Sequence, residues 1–256
     1  MFNKEFLHVV REYEIEKIIK HFTPGARVLE IGAGTGYQAK QLTDRGFSVE
    51  AIDVAASNYK EGRVFSVTEY DGKVFPFADA TFDVVFSSNA LEHIADLAPL
   101  HQESRRVLKA GGYCVHAMPT AVWRFWQGVA SYVELCQRWA DLLPSLFPRG
   151  LSRHELRRAV NAFREMIRLG GQYAVVPRHG EAGNALTELW TFSRRYWLNH
   201  FRRHGYIVLL AEELGLFYTG HMVLGRHWSF RSRERVALVL GSACMLYKVK
   251  PGSPAV

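Results

Sequence analysis

The chain has little cysteine: three thiols, Cys114, Cys136 and Cys244, in 256 residues. None forms a C-x-x-C pair, which excludes a cysteine-based zinc site and a disulfide framework. A reducing compartment is the plain expectation. No run of about 18 apolar residues occurs, so no spanning helix is expected. Residues 1–5 lead into a charged amphipathic stretch without the apolar centre of a signal peptide. No internal repeat or low-complexity tract is visible, and only residues 251–256 read as a loose tail. Lysine is missing from one long stretch. Residues 121–204 carry 13 Arg, no Lys and 6 acids, whereas residues 1–120 carry 13 Lys/Arg against 16 acids. The net charge of +7 therefore comes from outside the amino-terminal half. Arginine forks onto phosphate or carboxylate in two-point contacts.

What is present is a packed globular chain, 48% hydrophobic and 22% charged. Strand and helix patterns alternate over the first half. A helix is expected over 4–21, ended by Thr23-Pro24-Gly25. Strands are expected at 27–31, 47–52, 64–68, 82–87 and 113–117, with a poor helix from Ser57, a short helix or loop at 89–94 and a helix over 97–108. Lys109-Ala110-Gly111-Gly112 reads as a helix-to-strand turn. This alternation implies a doubly wound, mostly parallel α/β sheet. Residues 121–204 show no convincing strand, and strands return at 205–210, 216–218 and 242–249. The expected architecture is one domain, 1–256, with a helical substrate-cover insertion at 121–204 and a seven-stranded Rossmann-like sheet.

Residues 28–36 read Val-Leu-Glu-Ile-Gly-Ala-Gly-Thr-Gly. A glycine turn between strand and helix lets backbone N–H groups approach a ligand. Its G-x-G-x-G spacing misses the dinucleotide pattern, because position 37 is Tyr. Glu30 would repel a pyrophosphate but accepts hydrogen bonds from an amine cation. The turn therefore suits a ligand with an ammonium group.

Five blocks then occur in order: Glu30 to Gly36, the acid Asp53, the segment from Asp71 through Phe75-Pro76-Phe77 to Asp83-Val84-Val85, Leu91-Glu92-His93, and Val107 to Gly112. Over about residues 25–120 this resembles the class I S-adenosylmethionine-dependent methyltransferases, in their small-molecule, type 11-like branch. The resemblance implies S-adenosyl-L-methionine as cofactor. It implies that Glu30, Gly32, Ala33, Gly34 and Gly36 hold the amino-acid end. Asp53 and Val54 would hold the ribose, Asp71 and Gly72 the adenine, with Ser88 and Asn89 at the carboxyl end of strand four, where ligands bind open α/β sheets. Asp83 reads as a structural strand-start residue.

Methyl transfer from a sulfonium is an in-line displacement that needs alignment and exclusion of water. A hydroxyl acceptor also needs a base, and histidine titrates near neutrality. The candidates are His93 at the cofactor edge, His179 in the insertion and His221 after the late strands, whereas His116 reads as a core residue. A divalent metal is not expected, because Asn89 replaces the first acid of the Glu-x-x-Glu-His block that holds one in some O-methyltransferases. Ser87-Ser88-Asn89-Ala90 lacks the Pro-Pro of the amino-methylating nucleic-acid enzymes, so nucleic acid is disfavoured as a partner.

Residues 121–147 carry aromatics at 123, 125, 126, 132, 139 and 147, flanked by Arg124, Arg138 and Arg149. Two readings stand: a helix packed over the sheet, or an interfacial helix touching a membrane. The expectation is a cytoplasmic methyltransferase, with peripheral membrane contact left open. It would O-methylate a small-molecule, glycan or lipid-linked acceptor. A non-catalytic cofactor-binding scaffold and an RNA methyltransferase are the alternatives.

Overall fold

In β1 (Arg27–Ile31) every residue after Arg27 is buried, as in a strand covered on both faces. Val28 packs into one apolar cluster, Leu29 and Ile31 into another. The same split divides Val84 from Val85, Val115 from Cys114 and Leu246 from Tyr247. Period-two alternation thus sends neighbours to opposite faces and requires helices on both sides. This computed structural model describes residues 4–252, apart from 58, 148–149, 151, 182 and 221–227.

The sheet has seven strands in the order β3-β2-β1-β4-β5-β7-β6. The others are β2 (Ser48–Val54), β3 (Thr68–Tyr70), β4 (Phe82–Ser88), β5 (Leu108–Pro119), β6 (Tyr206–Glu213) and β7 (Cys244–Pro251). The first five run parallel, and β7 lies antiparallel between β5 and β6. α1 (Lys4–Ile18) and α2 (Tyr37–Asp44) contribute to one cluster. α3 (Ala98–Val107) and α7 (Arg194–Arg203) contribute to the other, the latter through Trp197 and Phe201. Between β5 and α7 stand α4 (Ala121–Leu146), α5 (Arg153–Tyr173) and the short α6 (Thr187–Thr191); α8 (Phe230–Leu240) precedes β7. Thr120, Ser152 and Ser193 start α4, α5 and α7 by accepting from the backbone N–H three residues on, satisfying one orphan donor each.

Several boundaries differ from the sequence expectation. The third strand is Thr68–Tyr70 rather than 64–68, because a short edge strand carries a weak apolar signal. No helix follows Ser57, whose N–H instead closes a turn on the Val54 carbonyl. Lys109 to Gly112 are part of β5, which continues with an irregular register against β4. Residues 216–218 are not a strand, although Leu216, Phe217 and Tyr218 are buried; burial alone mimicked strand patterning. Pro251 ends β7 rather than opening a tail, and residues 253–256 lie outside the described residues. At the far end of α7, the rings of His200 and Phe201 meet those of His101 on α3 and Tyr206 on β6 at tilted or edge-on angles, so this helix is a packing layer of the sheet.

Phe201 is fully buried, whereas Phe163 on α5 is 57% exposed. Phe201→Ala is expected to destabilise by about 3–5 kcal/mol. Phe163→Ala should stay within about 0.5 kcal/mol. Urea denaturation measures both.

Candidate functional site

The register places the first half of the site. Ile31 stands beside Ile52 in β2 and Ser87 in β4. The carboxyl ends of these three strands therefore bring the glycine turn, Asp53 and Ser88-Asn89 together. Gly32 and Gly36 have φ of +69° and +74°. A Cβ on Gly32 would stand 2.6 Å from the Ala90 Cβ, and one on Gly36 would stand 2.6 Å from the Phe65 Cβ. Only glycine serves both positions. Gly32 and Ala33 both donate to the Ile52 carbonyl, which pins the turn to β2.

Asp53 is buried and ties this turn from the other side. Its Oδ2 accepts from the Gly34 N–H at 2.9 Å and its Oδ1 from the Val54 N–H at 2.8 Å. Each oxygen keeps a second lone pair, enough for two vicinal hydroxyls. Val54 and Gly72 face one another across this edge, as walls for a planar group. Asp71 is exposed, and its Oδ1 accepts from the Lys73 and Val74 N–H groups. Those backbone donors hold its carboxyl below the ordinary carboxylate range. Only Oδ2 is left for a ligand.

Glu30 is buried, and its Oε2 has no partner. Burial pushes its pKa up to about 8, against the lowering effect of the Ala39 backbone, and the charge on Asp53 adds to the rise. A buried, orphaned carboxyl at a glycine turn is the feature an incoming ammonium would satisfy. The residues present thus fit a ligand with an ammonium, a ribose diol and a planar base.

The second half is assembled from three distant segments. Asn89 ends β4 in the left-handed region with φ of 50°, which Asn tolerates better than most residues. With its amide oriented by its hydrogen bonds, its oxygen accepts from Arg11 Nη1 at 2.8 Å and from Ser88 Oγ at 3.1 Å. A 3-10 turn, Leu91–His93, follows. It points Glu92 inward, with a fully buried side chain and neither carboxyl oxygen partnered, and leaves His93 exposed. Burial raises Glu92 to about 8, and Arg11 offsets part of that rise.

His179 comes from the loop between α5 and α6, and its ring centre lies 4.8 Å from that of His93 and 4.7 Å from that of Trp123. Both side chains reach solvent at one edge, but loss of hydration from the protein packed around the rings pushes His179 down to about 4 and also lowers His93, so both are neutral imidazoles at neutral pH. The loop is held by Glu188. This buried carboxylate accepts from the His179 and Gly180 N–H groups at 2.6 and 2.7 Å and from Arg124 Nε at 2.5 Å. Arg124 also donates to the Pro177 carbonyl at 2.9 Å. Glu92 in turn accepts from the Glu181 N–H through its carbonyl.

Donor atoms of Glu92, His93 and His179 all lie within 4.8 Å of one another, close enough to influence one another's protonation or to hold one divalent ion. Two features favour the proton: Asn89 supplies no anionic ligand, and Arg11 already brings positive charge to Glu92 and His179. A cleft of about 270 Å³ opens beside Glu92, lined by Gly180, Glu181, Phe192, Tyr196 and His200 among others. A second histidine group, His101, His200 and His204, lies along that wall. Burial lowers the pKa of His101 and His204 and the charge on Arg105 adds to the fall, so a cation there would be repelled.

Thus the structure joins His93 and His179, while His221 and Arg149 lie outside the described residues. His116 is buried, with its Nδ1 2.8 Å from Ser87 Oγ and its ring stacked on Phe201. Asp83 holds the Arg27 N–H and Lys109 at the opposite end of β4. Arg11 and Glu188 carry no local signal, since neither belongs to a block and their partners lie 78 and 64 positions away.

Comparison with known proteins adds a likeness over part of the chain. Residues 29–116 match the family described as a methyltransferase domain. Phosphoethanolamine N-methyltransferase 2 of Caenorhabditis elegans is 35% identical over 127 residues, 44% of this chain and 29% of that protein. Malonyl-[acyl-carrier protein] O-methyltransferase of Erwinia pyrifoliae is 33% identical over 103 residues, covering 38% and 39%. The chain thus spans well under half the length of these curated relatives. An S-adenosylmethionine-dependent methyltransferase structure from Mesorhizobium loti superposes with a TM-score of 0.52 over 93% of this chain and 97% of its own. At 15% identity it speaks to the fold alone.

Glu30 gives a test with a worked sign. Its folded pKa, about 8, exceeds the reference value of 4.5. Its contribution to stability is therefore full below the reference value and lost as pH rises through about 8. Glu30→Gln should make the ligand-free protein more stable above pH 8 in thermal unfolding. The same change should weaken S-adenosylmethionine binding at least tenfold. It should also abolish the proton release that calorimetry in different buffers detects for the parent below pH 8.

Proposed function

From a chain that carries a class I S-adenosylmethionine-dependent methyltransferase domain, we propose an enzyme that methylates an oxygen of a small-molecule acceptor. One observation carries this reading: two neutral imidazoles, His93 and His179, meet over the buried Glu92 beside the cofactor edge. An amine acceptor needs little help once unprotonated. A hydroxyl acceptor has a proton to place, and this cluster offers sites for it.

S-adenosylmethionine supplies a methyl group activated on a sulfonium. Glu30 and the backbone of Gly32 to Gly34 would hold its amino-acid end, Asp53 its ribose, and Val54 with Gly72 its base. The acceptor enters from the exposed side of His179, with Trp123 and Phe192 flanking that imidazole. A ring nitrogen of His179 or His93 takes the hydroxyl proton. His93 Nε2 lies 3.8 Å from Glu92 Oε1, so the positive charge gained by an imidazole that takes the hydroxyl proton stands beside a buried carboxyl and lowers that carboxyl's pKa. The three groups then act as one coupled titrating unit. The cleft beside Glu92 is at the small end of ligand pockets, which favours a compact acceptor or the head of a longer, lipid-linked one.

The test is transfer of labelled methyl from S-adenosylmethionine to a panel of hydroxyl, carboxyl and amine compounds. Transfer to oxygen is expected. Transfer confined to amines overturns the oxygen assignment. At saturating cofactor, kcat/KM for the acceptor should hold steady at neutral pH and fall below the ordinary histidine value of 6.5, towards the value of about 4 at His179. A fall beginning near pH 7 would point to a solvated base instead. Turnover should survive EDTA, and loss restored by Mg²⁺ or Mn²⁺ would give the cluster to a metal. His179→Asn should lower kcat about 10²–10⁴-fold and leave cofactor affinity unchanged.

A further inference from the structure

Helices α4 and α5 form an antiparallel hairpin. Trp139 Nε1 donates to the Met166 carbonyl at 3.1 Å, and Glu134 lies against Tyr173. On α5 the seam facing α4 carries Ala162 and Leu169, both buried. One position further round stand Leu156, Val160, Phe163 and Ile167, exposed by 44%, 49%, 57% and 60%. Their spacing makes one continuous stripe. α4 has the same device: Phe125, Val129, Tyr132 and Leu143 are exposed, while Trp123, Ala130 and Leu135 are buried. Each stripe is turned roughly 100° in the same rotational sense from the seam. In antiparallel helices that places both stripes on one side of the hairpin. The three tryptophans of α4 are buried (Trp123) or half-buried (Trp126 and Trp139); the exposed face belongs to other residues.

Beyond the apolar stripe of α5, helical rotation puts Arg153, Arg157, Arg164 and Arg168 in a row. Arg168 pairs with Glu165. Among the described residues Arg153, Arg157 and Arg164 have no ion-pair partner. The two acids of α5, Glu155 and Glu165, point away from the stripe. No helix among the described residues is long and apolar enough to cross a membrane.

We propose that this side of the α4–α5 hairpin docks on an anionic lipid surface, with the apolar stripe entering the headgroup boundary and the Arg row meeting lipid phosphates. Exposed apolar area of this extent marks a contact surface, and a stripe edged by cations is the form an interfacial helix takes. Charge selects the occupant. A symmetric second copy would bring an Arg row towards its own image, with no acid on either stripe to answer it. Nucleic acid would answer the arginines but leave the apolar stripe uncovered. The proposal is independent of which atom the enzyme methylates.

The experiment is co-sedimentation of the full chain with vesicles of phosphatidylcholine alone and with phosphatidylglycerol added. Binding is expected to the anionic vesicles only, and to weaken as salt is raised. Phe163→Ser with Ile167→Ser should lose at least tenfold in vesicle affinity. Arg153→Gln, Arg157→Gln and Arg164→Gln together should do the same and flatten the salt dependence. Circular dichroism and S-adenosylmethionine binding, followed in the same samples, should match the parent in both variants, which separates this surface from the cofactor site. Three outcomes overturn the proposal: no binding of the folded parent to anionic vesicles, equal binding by parent and arginine variant, or a lipid-free dimer that Phe163→Ser dissociates.

Discussion

The candidate acceptor site depends on one buried ion pair. Arg124 on α4 and Glu188 on α6 meet where neither side chain touches water. Such a pair adds little net stability, because two desolvated charges cost about what their attraction returns. Its value is positional. Glu188 spends Oε2 on Arg124 and Oε1 on two consecutive backbone N–H groups, so its acceptors are used and its direction is set. Arg124 spends a second donor on Pro177. Removing Glu188 would strand the Arg124 charge and two loop N–H groups, and removing Arg124 would strand the Glu188 charge and the Pro177 carbonyl. The loop bearing His179 is therefore held from both ends by the first turn of α4, whose own start is set by Thr120 on the last residues of β5.

Two further carboxyls are buried without comparable partners, one in each half of the site. Glu30 and Glu92 both rise to about 8, each chiefly from burial. Their surroundings differ in what they lack. Glu30 stands beside the anion Asp53, so a ligand cation would relieve it. Glu92 already has Arg11 nearby and two imidazoles within reach, so it can exchange a proton without a ligand's charge. Holding both uncharged carboxyls away from water works against stability as pH rises. Strain of this kind at a site, rather than in the surrounding core, is what a binding or catalytic role requires.

How much of this could be read from the sequence follows the range of each interaction. The glycine turn, Asp53 and the strand order around them are local signals: short apolar runs, positive-φ glycines and an acid ending a strand. The seven-stranded sheet was legible for the same reason, since alternation of strand and helix implies it. Errors fell where the signal was weak or shared. Three-residue β3 has too few positions for a pattern, and Leu216 to Tyr218 are buried as irregular chain. The acceptor half was legible only as separate pieces. His93 and His179 were each suspect, but their meeting depends on Arg124 and Glu188, 64 positions apart. Arg11 reaches Asn89 from a helix whose sequence suggests nothing beyond amphipathic packing.

The aromatic stretch at 121–147 shows why periodicity alone left two readings open. A helix with apolar residues most of the way round can be core, interface or both. Here it is both. Trp123 packs against the His179 ring, and Phe125, two residues on, faces solvent. The stripe on α5 escaped notice because its residues, Leu156, Val160, Phe163 and Ile167, are ordinary aliphatics among arginines, and their exposure depends on which face α4 already covers. The same hairpin thus has an inner end committed to the imidazole loop through Arg124 and an outer side with no protein partner among the described residues. A surface that seated the outer side would act on α4, and α4 is the element that fixes His179. Any force on that hairpin has a direct mechanical route, through one buried guanidinium, to the loop that carries His179.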